Sequence, residues 1–306
     1  MDPKKVIIVG ATGSLGSKIV KALLEQGAEV TAMVRGSSNR SRLSDMGVKS
    51  FVIADMMDKA SLKEALSSVQ GFDAIVASAA GYTRHTKGDN PETDVTGYRN
   101  LVDASREAGI PRFVLISILE CDKATTVPHF HNKYLIEKYL ADKKQPYIAL
   151  RAGAFLDQSR DFILAKIKKG IMPVFFEGST GGMIYTPDLA RYAALAAIAL
   201  PDSALNTSVD VGWSTPADPE TLAAAFSKVL GKPVIPKPLL PPLMTKVLFP
   251  LMAVFSSNLK DMLEMIKWVK SGQYISRNTQ KQMELFGELP TIEEAVTRYC
   301  RDRKLI

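Results

Sequence analysis

The sequence predicts an α/β fold: a doubly wound parallel sheet followed by a smaller, mainly helical C-terminal lobe. Three observations predict it. The chain opens on a β-branched run that leads through a glycine cluster into an amphipathic helix. Strand-like and helix-like patterns then alternate six times up to residue 150. Beyond residue 155 the alternation gives way to helical segments.

The first strand, 6–9, is Val6, Ile7, Ile8 and Val9, with no polar alternation, as a parallel strand buried on both faces requires. Gly10, Ala11, Thr12, Gly13, Ser14, Leu15 and Gly16 follow. A helix over 17–26 then places Ile19, Val20, Leu23 and Leu24 on one face, and Gly27 ends it. Strand, glycine loop and helix make the first half of a βαβ unit. Free N–H groups at the helix start and the helix dipole favour a phosphate. Gly10 is expected to make the turn, Gly13 to admit a pyrophosphate, and Gly16 to let the helix pack closely. The unit is therefore read as Rossmann-type and dinucleotide-binding, with Thr12, Ser14 and Leu15 completing the loop.

The second strand, 29–34, runs into Arg35, Gly36, Ser37, Ser38, Asn39 and Arg40. An NAD-selective site usually carries a carboxylate here for the ribose hydroxyls, and none lies between Thr31 and Leu43. A guanidinium can instead clamp a 2′-phosphate. NADP is expected over NAD, with Arg35 the principal contact and Ser37, Ser38 and Arg40 assisting; Arg42 is read as a solvated charge. Strand 49–54 ends at Asp55 and Met56, placed by this geometry beside the adenine. Helix 61–69 and strand 73–77 follow, the strand ending in Ser78, Ala79, Ala80 and Gly81, small enough to lie along the middle of the cofactor. Helix 94–108, strand 112–117, helix 133–143 and strand 147–150 complete the pattern, ending at Arg151. In loop 82–87, Arg84, His85 and Lys87 either meet phosphates or an anionic substrate, or are simply solvated.

Composition narrows the class. The 306 residues, 46% hydrophobic and 23% charged, suit one or two domains with a sizeable core. Two cysteines, Cys121 and Cys300, exclude a disulfide framework and a four-thiolate zinc site. Three histidines argue against a histidine-rich metal centre, and no metal is expected. The net charge of +7 is shared by the halves, 20 basic and 17 acidic residues in 1–150 against 19 and 15 in 151–306. No nucleic-acid arm is therefore expected; a mildly positive field favours an anionic ligand. The start has no long apolar region of the secretory kind, and with so few thiols a cytoplasmic location is expected.

In these residues the chain resembles the NmrA-like family of atypical short-chain dehydrogenases/reductases. The resemblance rests on the loop 10–16, Val34-Arg35, Ala54-Asp55, Asp94 to Gly97 leading to Asn100 and Ala104, and strand 112–117. It continues through Lys133 with Glu137, Arg151 to Phe155, and Tyr185 to Ala190, and covers roughly residues 4–235. It implies an oxidoreductase that uses NADPH to reduce a hydrophobic carbonyl, enone or quinone-like molecule by hydride transfer. It equally admits a non-catalytic NADP-binding redox sensor or regulator. An epimerase or dehydratase is disfavoured.

Many short-chain dehydrogenases pair a tyrosine with a lysine four residues on, the lysine lowering the tyrosine pKa. Tyr134 and Lys138 have that spacing. The resemblance instead implies Lys133, four before Glu137 and eighteen before Arg151, as the lysine that binds the nicotinamide ribose. The family tyrosine would then fall at His129, which can donate a proton near neutral pH. Lys133, His129 and Tyr134 are the catalytic candidates; Ser117 is not given that role, because the family hydroxyl comes slightly later.

The remainder is expected to form a substrate-binding lobe over 156–306, with a segment near 188–212 returning to the dinucleotide domain of 1–155. Helix 158–169, strand 171–176, helix 189–200, strand 208–212 and helix 219–230 are predicted. Pro236, Pro238, Pro241 and Pro242 read as a stiff linker. Residues 243–255 are strongly apolar but too short to cross a membrane and broken by Pro250. They are a buried helix, a lid, or a contact with a membrane surface or partner. Helices 258–270 and 291–301 end the chain, which is expected to be a monomer or homodimer.

Overall fold

The computed structural model describes residues 2–68, 71–81, 91–157, 162–174, 177–239, 241, 243–244 and 248–306. The chain divides into two compact units. The first comprises 1–121, 132–151 and 186–209; the second comprises 122–131, 152–185 and 210–306.

The first unit begins with β1 (Lys5–Val9), α1 (Ser14–Glu25), β2 (Glu29–Val34), α2 (Ser41–Asp45), β3 (Ser50–Ile53), α3 (Lys59–Ser67) and β4 (Ala74–Ala77). A short 3-10 turn, Pro91–Asp94, leads into α4 (Thr96–Glu107). Strand β5 (Phe113–Ile118), helix α5 (Pro128–Asp142) and β6 (Tyr147–Ala152) follow. The seven-stranded sheet has the order β10-β6-β5-β4-β1-β2-β3, where β10 is Thr207–Val211. The pairings β1–β2, β1–β4, β2–β3 and β4–β5 are parallel. The chain runs outward from β1 to β3, then returns to β4 on the other side of β1. The strand order thus reverses at the carboxyl ends of β1 and β4, where this class of sheet binds ligands.

Alternation along the strands divides the core. Ile7, Val9, Ile75, Ala77, Phe113 and Leu115 pack with α3, α4 and α5 through Leu62, Leu101, Ile136 and Leu140. Helix α7 (Thr186–Ile198) packs on α1, β4 and β5. Its buried alanines keep the two helices close, and Lys18 Nζ donates to Thr186 Oγ1 at 2.6 Å.

The second unit holds β7 (Ala154–Phe155), α6 (Phe162–Lys168), β8 (Ile171–Val174) and β9 (Met183–Ile184). After β10 come α8 (Pro219–Leu230), β11 (Ile235–Pro238), α9 (Phe249–Ala253), α10 (Ser257–Lys270), α11 (Thr279–Phe286) and α12 (Ile292–Asp302). Helix α8 starts at the Asp218 cap, with Pro219 in its first turn, and stops at left-handed Gly231. It packs on α12, whose Thr291–Glu294 capping box fixes its start. Phe226, Tyr299, Trp213 and Ile167 lie at the centre of this core.

Two expectations are corrected here. The proline-rich stretch is partly a strand: β11 pairs in parallel with β8, and in a two-stranded sheet each strand is an edge that tolerates proline. Of the three alternatives for 243–255, the described residues do not fit a buried helix. Leu243, Leu248, Leu251, Met252, Val254 and Phe255 are exposed. No helix among the described residues is long and apolar enough to cross a membrane.

Candidate functional site

The turn between β1 and α1 is built by two glycines that no other residue replaces. Gly10 has φ of +84°, and a Cβ there would lie 2.7 Å from the Ala79 nitrogen. A Cβ on Gly16 would collide with the Gly10 carbonyl. Gly13 donates its N–H to that carbonyl at 3.0 Å and caps α1 with no side-chain partner. Thr12, Gly13 and Ser14 are exposed, while Leu15 is buried and anchors the helix. A helix start with open N–H groups and no acidic residue in its first turn is an anion cradle.

Arg35 is half-buried at the end of β2, and its carbonyl accepts from Ser38 N–H at 2.9 Å, closing a turn that leaves Ser37 exposed. Arg40 precedes α2 with its guanidinium 5.9 Å from the Phe51 ring centre. Beyond β3, the exposed Asp55 accepts from Met57 N–H through Oδ1 at 2.9 Å. The buried Met56 is held by its carbonyl, which accepts from Asn100 Nδ2 at 2.9 Å.

The stretch after β4 connects this turn to a buried lysine. Ser78 donates through both N–H and Oγ to the Val9 carbonyl. Ala79, against Gly10, accepts at its carbonyl from the Tyr98 hydroxyl at 2.6 Å; Ala80 is exposed. Gly81 donates its N–H to Asp94 Oδ2 at 3.1 Å. Asp94 Oδ1 lies 3.5 Å from Lys133 Nζ, which sits 4.1 Å from the Tyr98 ring centre. Burial pulls the Lys133 pKa down, but Tyr98 and Asp94 outweigh it and hold the value above that of an ordinary lysine. Burial pushes the Tyr98 phenol up as well. A neutral phenol and a protonated ammonium thus face each other behind residues 78–81.

One turn along α5, Glu137 is buried in a second cluster. Arg151 donates to it through Nε at 3.1 Å and through a terminal nitrogen at 2.7 Å. Ser117 Oγ donates at 2.6 Å and Ser208 Oγ at 2.8 Å. The carboxylate therefore ties α5 to β5, β6 and β10, and Ser117 is committed to it. Cys121 borders the same carboxylate; burial, with Glu137 adding to it, pushes its thiol up to about 12.

The other candidates are placed as follows. His129 is buried in the first turn of α5, its ring edge-on to Phe130 at 4.7 Å, and Phe130 meets Tyr274 at 5.4 Å. Tyr134 is half-buried and Lys138, one turn later, exposed. Loop 82–87 lies outside the described residues. No three metal-ligating side chains come together among the described residues. Sequence reasoning overlooked Tyr98 and, as a site member, Asp94. Tyr98 lies unremarked within the predicted helix 94–108; the available signal was an aspartate at the helix start with a hydroxyl-bearing ring one turn on.

Comparison with known proteins places these features in a family. A model of the NmrA-like family matches residues 2–296. The photosystem II assembly factor Ycf39 of Cyanophora paradoxa is 26% identical over 188 residues, 61% of this chain and 57% of that protein. The matched stretches span between 45% and 59% of the length of three such curated relatives. The NADPH-dependent quinone oxidoreductase of Escherichia coli, solved with NADPH, shares the fold with a TM-score of 0.73. It is 22% identical, with 96% of this chain and 99% of that one covered. The triphenylmethane reductase of Citrobacter, solved with NADP(H), also has a TM-score of 0.73, at 20% identity and the same coverage.

Proposed function

The chain belongs to the NmrA-like family, and on that premise we propose that it is an NADPH-dependent reductase of a hydrophobic carbonyl, enone or quinone-like molecule. The carrying observation is the contact path from Gly10 through Ala79 and Tyr98 to Lys133, with Asp94 joining Gly81 to the same lysine. It brings an anion cradle and a protonated ammonium to the same four residues after β4.

The residues present fit a phosphorylated dinucleotide. The open start of α1, with Thr12, Gly13 and Ser14, would hold the pyrophosphate, and Leu15 and Gly16 fix the helix behind it. Arg35, with Ser37 and Arg40, would take the 2′-phosphate, in a stretch that offers no competing carboxylate. Asp55 and Met56 would border the adenine, and Ala79 and Ala80 the middle of the cofactor. When bound, NADPH supplies a hydride. Lys133 would donate hydrogen bonds to the nicotinamide ribose and to the substrate oxygen, its proton retained by the raised pKa. His129, four residues earlier on α5, or water would supply the proton to the product; Tyr134 is the less favoured source.

A second reading, a non-catalytic NADP-binding regulator, is favoured by one feature: the helix carries His129 where the family tyrosine would stand. The readings part on turnover. NADPH oxidation followed against a panel of quinones and enones tests the enzyme; tight NADPH binding without consumption across the panel would favour the regulator. Both readings require Arg35→Ala to weaken NADPH by about tenfold or more and NADH little, since a charge-assisted hydrogen bond is worth about 1.5–3 kcal/mol. Equal binding of the two cofactors, unchanged by the substitution, would overturn the cofactor choice.

A further inference from the structure

Six described apolar residues of the segment before α10 are exposed to a degree that core packing does not explain. Phe255 is 92% exposed, Val254 77%, Leu243 65%, Leu251 62% and Met252 54%. Isolated exposed apolar side chains are ordinary, but this many within thirteen residues mark an interaction surface. The charge of the surrounding stretch identifies the partner. The two halves of the chain balance, yet residues 231–283 hold eight Lys or Arg against two Asp or Glu, six of the chain's net seven positive charges. Lys232, Lys237, Lys260, Lys267 and Lys270 are exposed. One of the two acids, Glu264, is already paired with Lys267 at 2.7 Å.

We propose that Leu243, Leu248, Leu251, Met252, Val254 and Phe255 are the apolar part of a peripheral docking surface for an anionic lipid bilayer. Their side chains would enter the headgroup–acyl boundary, while the lysines of the surrounding stretch meet anionic headgroups. Apolar insertion reinforced by cations is the physics of interfacial segments, in contrast to spanning ones. A second copy of the chain suits the segment less well. A symmetric contact sets the same patch against itself, and would bring two strongly cationic stretches together.

Flotation of the full chain with phosphatidylcholine vesicles, and with phosphatidylcholine–phosphatidylserine vesicles, tests this. The chain is expected to float with the anionic vesicles alone and to be released by added salt. Leu251→Asp with Phe255→Asp should abolish flotation with an unchanged thermal melt, because both side chains lie outside the core. Lys260→Gln and Lys270→Gln, which leave the apolar residues intact, should each weaken binding about fivefold. The proposal is overturned by absence of flotation with anionic vesicles, or by equal flotation with both compositions. It is also overturned if neither pair of variants reduces flotation, or if light scattering finds a dimer that Phe255→Asp dissociates.

Discussion

Helix α5 carries two buried charges one turn apart, and they are held in opposite ways. Glu137 accepts from Arg151, Ser117 and Ser208, donors fixed on β6, β5 and β10, at distances of 2.6–3.1 Å. Lys133 has an ion pair at the longer distance of 3.5 Å and a ring face at 4.1 Å. An ammonium has three donors, and these two contacts leave capacity unspent. A carboxylate saturated by fixed donors fastens strands together. A lysine held loosely by a carboxylate and a ring keeps its proton and can still bind a ligand. We read the first as structural and the second as working.

The largest effect on stability should come from breaking the saturated cluster. Glu137→Ala leaves the half-buried Arg151 without its carboxylate, and Ser117 and Ser208 without their acceptor, and should cost about 3–5 kcal/mol in urea unfolding. A loss under 1 kcal/mol would mean that the clamp does not hold the strands. Asp94→Asn sharpens the contrast: it keeps the shape and an acceptor for Gly81 N–H but removes the charge facing Lys133. It should cost less, about 1.5–3 kcal/mol, and lower the pH at which NADPH turnover falls off on the alkaline side, because Lys133 loses a group that keeps it protonated. An unmoved alkaline limb would disconnect Asp94 from the lysine. The smallest effect is on the pH dependence of folding. Lys133 and Tyr98 both have raised values in the folded chain, so folding holds their protons more tightly than the unfolded chain does. Their contribution is complete below about pH 10 and lost as pH rises through the raised values. The urea midpoint should fall above that pH, and less so in Lys133→Met.

The β1–α1–β2 unit was legible because its signals are local: β2 and α8 have the predicted bounds, set by β-branched runs and by the Asp218 and Gly231 caps. Helix α5 starts at Pro128, five residues before its predicted start. Proline suits a first helical position, but His129, Phe130, His131 and Asn132 are weak helix formers and hid it. Helices α2 and α11 are short, and nothing in their sequences competes with a loop reading. In the site, the glycines declared their role by spacing. Tyr98 did not, since a tyrosine on an apolar helix face looks the same whether it packs or holds a lysine. The apolar stretch at 243–255 was visible as composition; its exposure is a tertiary fact that no local pattern encodes.

Turnover of Lys133→Met tests the contrast between the two buried charges most directly. NADPH oxidation with the best quinone or enone acceptor should fall by about 10²-fold or more, while the thermal midpoint drops less than in Glu137→Ala. Wild-type turnover in Lys133→Met, or a loss of activity explained entirely by unfolding, would contradict a working role for this lysine.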